Sequence, residues 1–167
     1  ILAHLVHFVD TMTKEWEAMR SKLVVLAERD ALTGLVNRRS MERSFKDLLQ
    51  DALASGLSLA VMMLDMDDFK GINDTFGHAK GDEALVALAD ILTSSVRSVD
   101  IVSRWGGDEF FVILTRADRA AADRVIKRIH GGADSLALLM PDKRTVGLSI
   151  GVTLSRPHDT PESIFQR

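Results

Sequence analysis

Two short acidic clusters are the residues best equipped for chemistry in this 167-residue chain. The first, Asp65-Met66-Asp67-Asp68-Phe69-Lys70, follows an apolar run over residues 57–64 that reads as a buried central strand. Carboxylates at the rim of a sheet are costly unless they are solvated, paired or bound to a cation. The second, Arg104-Trp105-Gly106-Gly107-Asp108-Glu109-Phe110, sets Asp108 and Glu109 directly behind two glycines. Glycine permits positive φ there and lets a ligand approach the backbone closely. If the hairpin lies beside the first strand, Asp65 and Asp108 can share hard divalent cations. Magnesium sites of this type use one or two carboxylates plus substrate phosphates. With two metals, an attacking hydroxyl and a leaving phosphate oxygen can both be stabilised. Each cluster taken alone also fits a solvated loop or an ordinary turn. Their order on one sheet is what points to chemistry.

Composition narrows the choice. The chain has no cysteine, so neither disulfides nor thiolate metal sites arise. Any metal is held by oxygen or histidine, and oxygen favours magnesium, manganese or calcium, with Mg2+ or Mn2+ the cofactor expected here. Apolar residues at 46% and charged residues at 27% describe a globular chain. A net charge of −3 gives no electrostatic case for a nucleic-acid partner. No apolar run approaches the roughly 20 residues of a membrane span, so no membrane contact is expected of this segment. There is no signal-peptide pattern, and the expected compartment is the cytoplasm. The start at Ile1 reads as a piece of a longer protein.

The elements that must position the acids follow from periodicity. Leu2, Leu5, Val9, Met12, Trp16, Met19, Leu23 and Leu26 recur with alternating steps of three and four. A mean step of 3.5 is the seam of a coiled coil, with Glu15 and Arg20 on g and e positions. An amphipathic helix packed on its own domain is the other reading of that stripe. Residues 1–29 are therefore expected to form an N-terminal dimerisation helix, and 30–167 a separate domain. Within the latter the spacing predicts a turn near Gly34 and Asn37, and helices over 38–54, 81–96 and 117–130. Strands are expected over 57–64, 101–105, 109–114 and 145–153, the middle two forming a hairpin. Thr160-Pro161-Glu162 reads as the start of a last helix. Strand, helix, hairpin, helix, strand is the order of a split βαβ, ferredoxin-like sheet, an α/β (α+β) fold.

The motifs resemble the GGDEF family of diguanylate cyclases. Gly106-Gly107-Asp108-Glu109-Phe110 is the family signature, and Asp30-Ala31-Leu32-Thr33-Gly34-Leu35-Val36-Asn37-Arg38-Arg39 matches its entry motif. Phe69-Lys70, Ile72-Asn73-Asp74, Phe76-Gly77-His78, Gly81-Asp82 and Ser149-Ile150-Gly151-Val152 extend the likeness across 30–167. It implies a nucleotide-cyclase-palm-like domain, with a central sheet containing antiparallel strands. The implied activity is condensation of two GTP into cyclic di-GMP and two pyrophosphates by a bacterial homodimer. An upstream sensor domain in the full-length protein, which may be membrane-attached, would control it.

Roles carry over by position. The resemblance makes Asp65, Asp108 and the Met66 backbone carbonyl metal ligands, with Asp108 and Glu109 as the catalytic acids. Backbone around Phe69 and Lys70 would cradle the β- and γ-phosphates beside Gly107, and Asn73 and Asp82 would read guanine. A carboxylate at Asp82 can accept both adjacent N–H donors of guanine, whereas adenine would leave it unpaired. Arg97 and Asp100 match the family's product-inhibition motif, with Arg128 contributing to the same site. The family continues past the position of Arg167 into a helix whose lysine and arginine bind phosphates, so a truncated C-terminal helix is expected. The alternative activity is a catalytically silent receptor for cyclic di-GMP or GTP.

Overall fold

The computed structural model describes residues 2–167; of residues 2–6, 21, 22, 25 and 26 it describes the backbone alone. The N-terminal stripe forms one continuous helix, α1 (Leu2–Glu28). Leu2, Leu5 and Leu26 of the seam lie outside the described side chains. Val9, Met12, Trp16, Met19 and Leu23 are exposed, Trp16 by 71%. This part of the stripe therefore does not pack on its own domain. The expected helix is present as one continuous element.

The remaining elements are β1 (Val36–Asn37), α2 (Arg38–Ala54), β2 (Ala60–Met66), α3 (Phe69–Phe76), α4 (His78–Ser95), β3 (Ile101–Gly106), β4 (Glu109–Leu114), α5 (Arg119–Ala133), a 3-10 turn (Asp134–Leu138), β5 (Leu148–Leu154) and α6 (Pro161–Phe165). The five strands form one mixed sheet in the order β1-β3-β4-β2-β5. Only β1 is parallel to its neighbour, β3. From β2 to β5 the chain follows the expected βαββαβ alternation.

Strand alternation divides the core in two. Ala60, Met62, Leu64 and Met66 point with Phe110, Val112 and Leu114 toward α4 and α5. Val61, Phe111 and Ile113 point the other way, onto Met41, Phe45 and Leu49 of α2 and Ile164 of α6. Asn37 starts α2 by accepting from Ser40 N at 3.0 Å, and its amide donates back to Ala27 O at 2.8 Å. One residue thus caps α2 and ties it to the end of α1. Thr160 and Ser163 form a capping box that starts α6.

Several boundaries differ from those read in the sequence. The apolar run beginning at residue 57 enters the sheet only at Ala60, and the strand continues through Asp65 to Met66. Asp65 therefore lies inside the ladder rather than after it. Helix α3 and the two-residue β1 were not anticipated. Helix α4 begins at His78 rather than Gly81, which moves Asp82 out of the first turn. The last strand begins at Leu148, three residues later than expected.

Candidate active site

The register of the sheet assembles the acidic residues. Asp65 of β2 sits directly opposite Glu109 of β4. The hairpin closes tightly, with Gly106 paired to Glu109, so Gly107 and Asp108 form its tip. Gly107 has φ +54°, a left-handed conformation that glycine adopts without penalty. Like charges directly opposed across antiparallel strands repel. Partial burial pushes the Asp65 carboxyl above its ordinary range, and the nearby charges of Asp108, Glu109 and Asp67 push it further. Asp67 accepts a hydrogen bond from Ser149 Oγ at 2.6 Å. Met66 pairs with Leu148 of β5 and lies one residue beyond the β2–β4 ladder.

Such a donor set suits a hard divalent cation. It is all oxygen, and it carries an excess of negative charge that a cation would relieve. Among the described residues no three acidic or histidine side chains converge to hold a metal by themselves. A carboxylate pair completed by phosphate oxygens and water is the coordination magnesium favours.

Next to these acids the chain turns through Asp68, at φ +55°, into α3. Asp68 provides no side-chain cap, and Ile72 N is the first amide of the helix to return, to Asp68 O at 3.1 Å. The N–H groups of Phe69, Lys70 and Gly71 have no acceptor among the described residues, so this helix start can receive an anion. Asn73 lies on the same helix. Asp82, on α4, borders an open depression of about 580 Å³ whose walls include Leu32, Val86 and Leu139. Those apolar walls come from three separate segments and were not anticipated.

Also unanticipated was the brace behind the hairpin. Arg104 donates from Nε and Nη2 to Gly107 O at 3.0 and 2.8 Å, and from Nη1 to Asp30 Oδ1 at 3.1 Å. Asp30 also accepts from Thr33 N and Oγ1, at 2.9 and 2.7 Å. Burial alone would raise the Asp30 carboxyl, but the bonds from Thr33 and Arg104 hold it below its ordinary value. The turn leaving α1 is thereby fastened to the tip of the acidic hairpin.

Arg97, Asp100 and Arg128 gather elsewhere, at the C-terminal end of α4. Arg97 grips Asp100 through Nε at 3.1 Å and Nη2 at 2.9 Å. Asp100 also accepts from Thr115 N, and although burial opposes ionisation these bonds keep its carboxyl below the ordinary value. Arg128 donates to Ser95 O, the last carbonyl of α4. A cavity of about 520 Å³ adjoins Arg97, walled by Leu48, Ala52, Leu57 and Val99.

A mixed α/β domain with an acidic hairpin opposite an acidic strand is the class this geometry defines. The family model of the diguanylate cyclase GGDEF domain matches residues 27–167, and the chain belongs to that family. It is 37% identical over 147 residues to the probable diguanylate cyclase DgcC of Escherichia coli, covering 88% of this chain and 39% of that protein. The chain thus spans about two fifths of that relative's length. Its structure is similar to that of the diguanylate cyclase SiaD from Pseudomonas aeruginosa, solved in complex with its activator SiaC. The TM-score is 0.79 at 33% identity, over 99% of this chain and 65% of that one. The coiled coil and GGDEF domain of DgcB from Caulobacter crescentus, solved in complex with c-di-GMP, matches with a TM-score of 0.86 at 26% identity. That match covers 98% of this chain and 89% of that one. No helix among the described residues is long and apolar enough to cross a membrane.

Proposed function

We propose that this domain is a diguanylate cyclase that joins two GTP molecules into cyclic di-GMP, working as a homodimer. The observation that carries this reading is the register pairing Asp65 with Glu109, with Asp108 at the adjoining hairpin tip. That arrangement concentrates negative charge where it raises the Asp65 carboxyl, and a divalent cation bridging to phosphate would discharge it.

In each of two successive steps, the 3′-hydroxyl oxygen of one GTP bonds to the α-phosphorus of the other. The bond from that phosphorus to the bridging oxygen breaks, and pyrophosphate leaves with its electron pair. Asp108, at the hairpin tip, is assigned to take the hydroxyl proton. Asp65, Asp108 and the Met66 carbonyl would hold Mg2+ or Mn2+, which when bound neutralises charge developing on the phosphate oxygens. The free amides at the start of α3, with Lys70 and Gly107, receive the β- and γ-phosphates. Asn73 and Asp82 read the base, and the apolar walls of the depression beside Asp82 offer it a surface to pack on. Most of the rate then comes from positioning and charge stabilisation.

One domain holds one GTP, so two copies must face each other. The exposed stripe of α1 supplies a surface for the second copy, since a seam of period 3.5 is self-complementary between parallel helices. Arg97, Asp100 and Arg128 are assigned to product inhibition, with the Arg97 fork already held in place by Asp100. An upstream sensor would act through α1.

The test is to incubate the protein with GTP and magnesium and separate products by chromatography. Cyclic di-GMP and pyrophosphate are expected, and Asp108→Ala should abolish both. Arg97→Ala should keep synthesis and lose inhibition by added cyclic di-GMP. Continued synthesis by the first variant, or unchanged inhibition in the second, would refute the corresponding assignment.

A further inference from the structure

Gly81 is buried in α4, and its backbone is ordinary helix with no positive φ. Alanine would be the better helix former at such a position. What the site lacks is room. A Cβ added to Gly81 would overlap Asn73 Oδ1, and would lie 3.0 Å from Asn73 Cγ and 3.2 Å from the Phe69 ring edge at Cε2. The collision is with the far end of a rotatable side chain reaching over from α3, not with backbone. Space for the Asn73 amide is therefore what this glycine provides.

The amide itself makes no side-chain hydrogen bond among the described residues, so its donors are uncommitted while its Oδ1 lies against Gly81. It rests on α4 one residue before Asp82, whose carboxylate borders the depression described above. Two groups able to recognise a purine edge, one from α3 and one from α4, are thus held in a fixed relation by the missing methyl between them.

We propose that Gly81 is a positioning residue that seats the Asn73 amide against α4 and so sets the nucleotide selectivity of the site. This rests on the reading of Asn73 and Asp82 as base-recognition groups and adds the residue that determines where the amide points. Alanine at 81 swings Asn73 off its seat while leaving both helices in place. A merely structural glycine would behave differently, since its replacement would lower stability and weaken all nucleotides alike.

The experiment compares Gly81→Ala, Asn73→Ala and the double variant with the parent. Equilibrium binding of GTP and of ATP is measured with magnesium present, alongside the melting temperature of each protein. Gly81→Ala is expected to weaken GTP by up to about tenfold, the range for one lost hydrogen bond, with ATP unchanged. The ratio of GTP to ATP affinity falls by the same factor, and melting is not lowered. The double variant binds GTP no more weakly than Asn73→Ala, because both changes remove one interaction. Parental GTP affinity in Gly81→Ala, with a loss in Asn73→Ala, would overturn the role of Gly81 and leave the base-reading assignment intact. Equal weakening of GTP and ATP with a lowered melting temperature would overturn it in favour of a structural role. Parental affinity in Asn73→Ala would instead remove the base-reading assignment, and the proposal with it.

Discussion

Replacing Asp65 with asparagine removes one charge from the acidic group while keeping the shape of the side chain. In the folded chain Asp65 faces Glu109 across the ladder, with Asp108 beside it and Asp67 two residues on. Opposed like charges on neighbouring strands cost up to ~1 kcal/mol, and partial exposure keeps the cost near that scale. Asp65→Asn is therefore expected to stabilise the domain by about 0.5–1 kcal/mol, or roughly 2–4 °C in melting temperature for a chain of this size. The sign with pH follows from the raised carboxyl. Between the unfolded and folded pKa values the native state binds more protons, so stability falls as pH rises through that window. The gain from asparagine should be full at about pH 7 and small at pH values below the ordinary aspartate pKa of 3.8. Added magnesium should raise the melting temperature of the parent, with little effect on the variant, and the variant should lose cyclic di-GMP synthesis. Thermal unfolding followed by circular dichroism, at both pH values and with and without magnesium, measures each part. An Asp65→Asn protein that melts below the parent at neutral pH would show that the carboxylates are not repelling one another. Equal stabilisation of both proteins by magnesium would show that the ion binds elsewhere.

Three further outcomes are expected. Arg104→Ala frees the Gly107 carbonyl and leaves Asp30 without its cation, costing about 2 kcal/mol in chemical denaturation. Because Asp30 is held below its ordinary value of 3.8, its contribution is complete above that value and is lost as pH falls through the folded one, so Asp30→Asn should flatten the acid limb of the stability profile. Trp16→Glu, at an exposed seam position of α1, should shift the chain from dimer to monomer in sedimentation and lower cyclic di-GMP synthesis without changing the melting of the domain core. An unchanged dimer would remove α1 from the assembly.

The parts of the fold that could be read from the sequence were those with a strong local signal. Helix α2 announces itself through the apolar face of Met41, Phe45 and Leu49, and the hairpin through its adjacent glycines. Helix α3 does not, because it has eight residues, contains Gly71 and stops at Gly77, too little for a local preference to register. Packing of Ile72 into the core supplies what propensity lacks. The end of β2 was placed too early because Asp65 breaks the apolar run, whereas the ladder to Glu109 and Ser149 continues past it. At the site, residue types pointed to the acids, and resemblance pointed to Asn73 and Asp82. The brace from Asp30 to Arg104 joins residues 74 positions apart, a distance over which no local spacing carries information. The walls formed by Leu32, Val86 and Leu139 were invisible for the same reason.

Helix α1 runs unbroken for 27 residues, about 40 Å, and its end is pinned through Asn37 and the Asp30–Arg104 brace to the acidic hairpin. A rod fixed at one end carries rotational phase. Each residue inserted above the pin turns everything upstream by roughly 100° relative to the hairpin. Seven residues restore the phase to within about 20°. Exchange of upstream modules on this domain is therefore governed by arithmetic: fusions that differ by whole heptads share nearly one orientation, and a difference of two residues, a turn of about 200°, presents nearly the opposite side of the helix to whatever lies above.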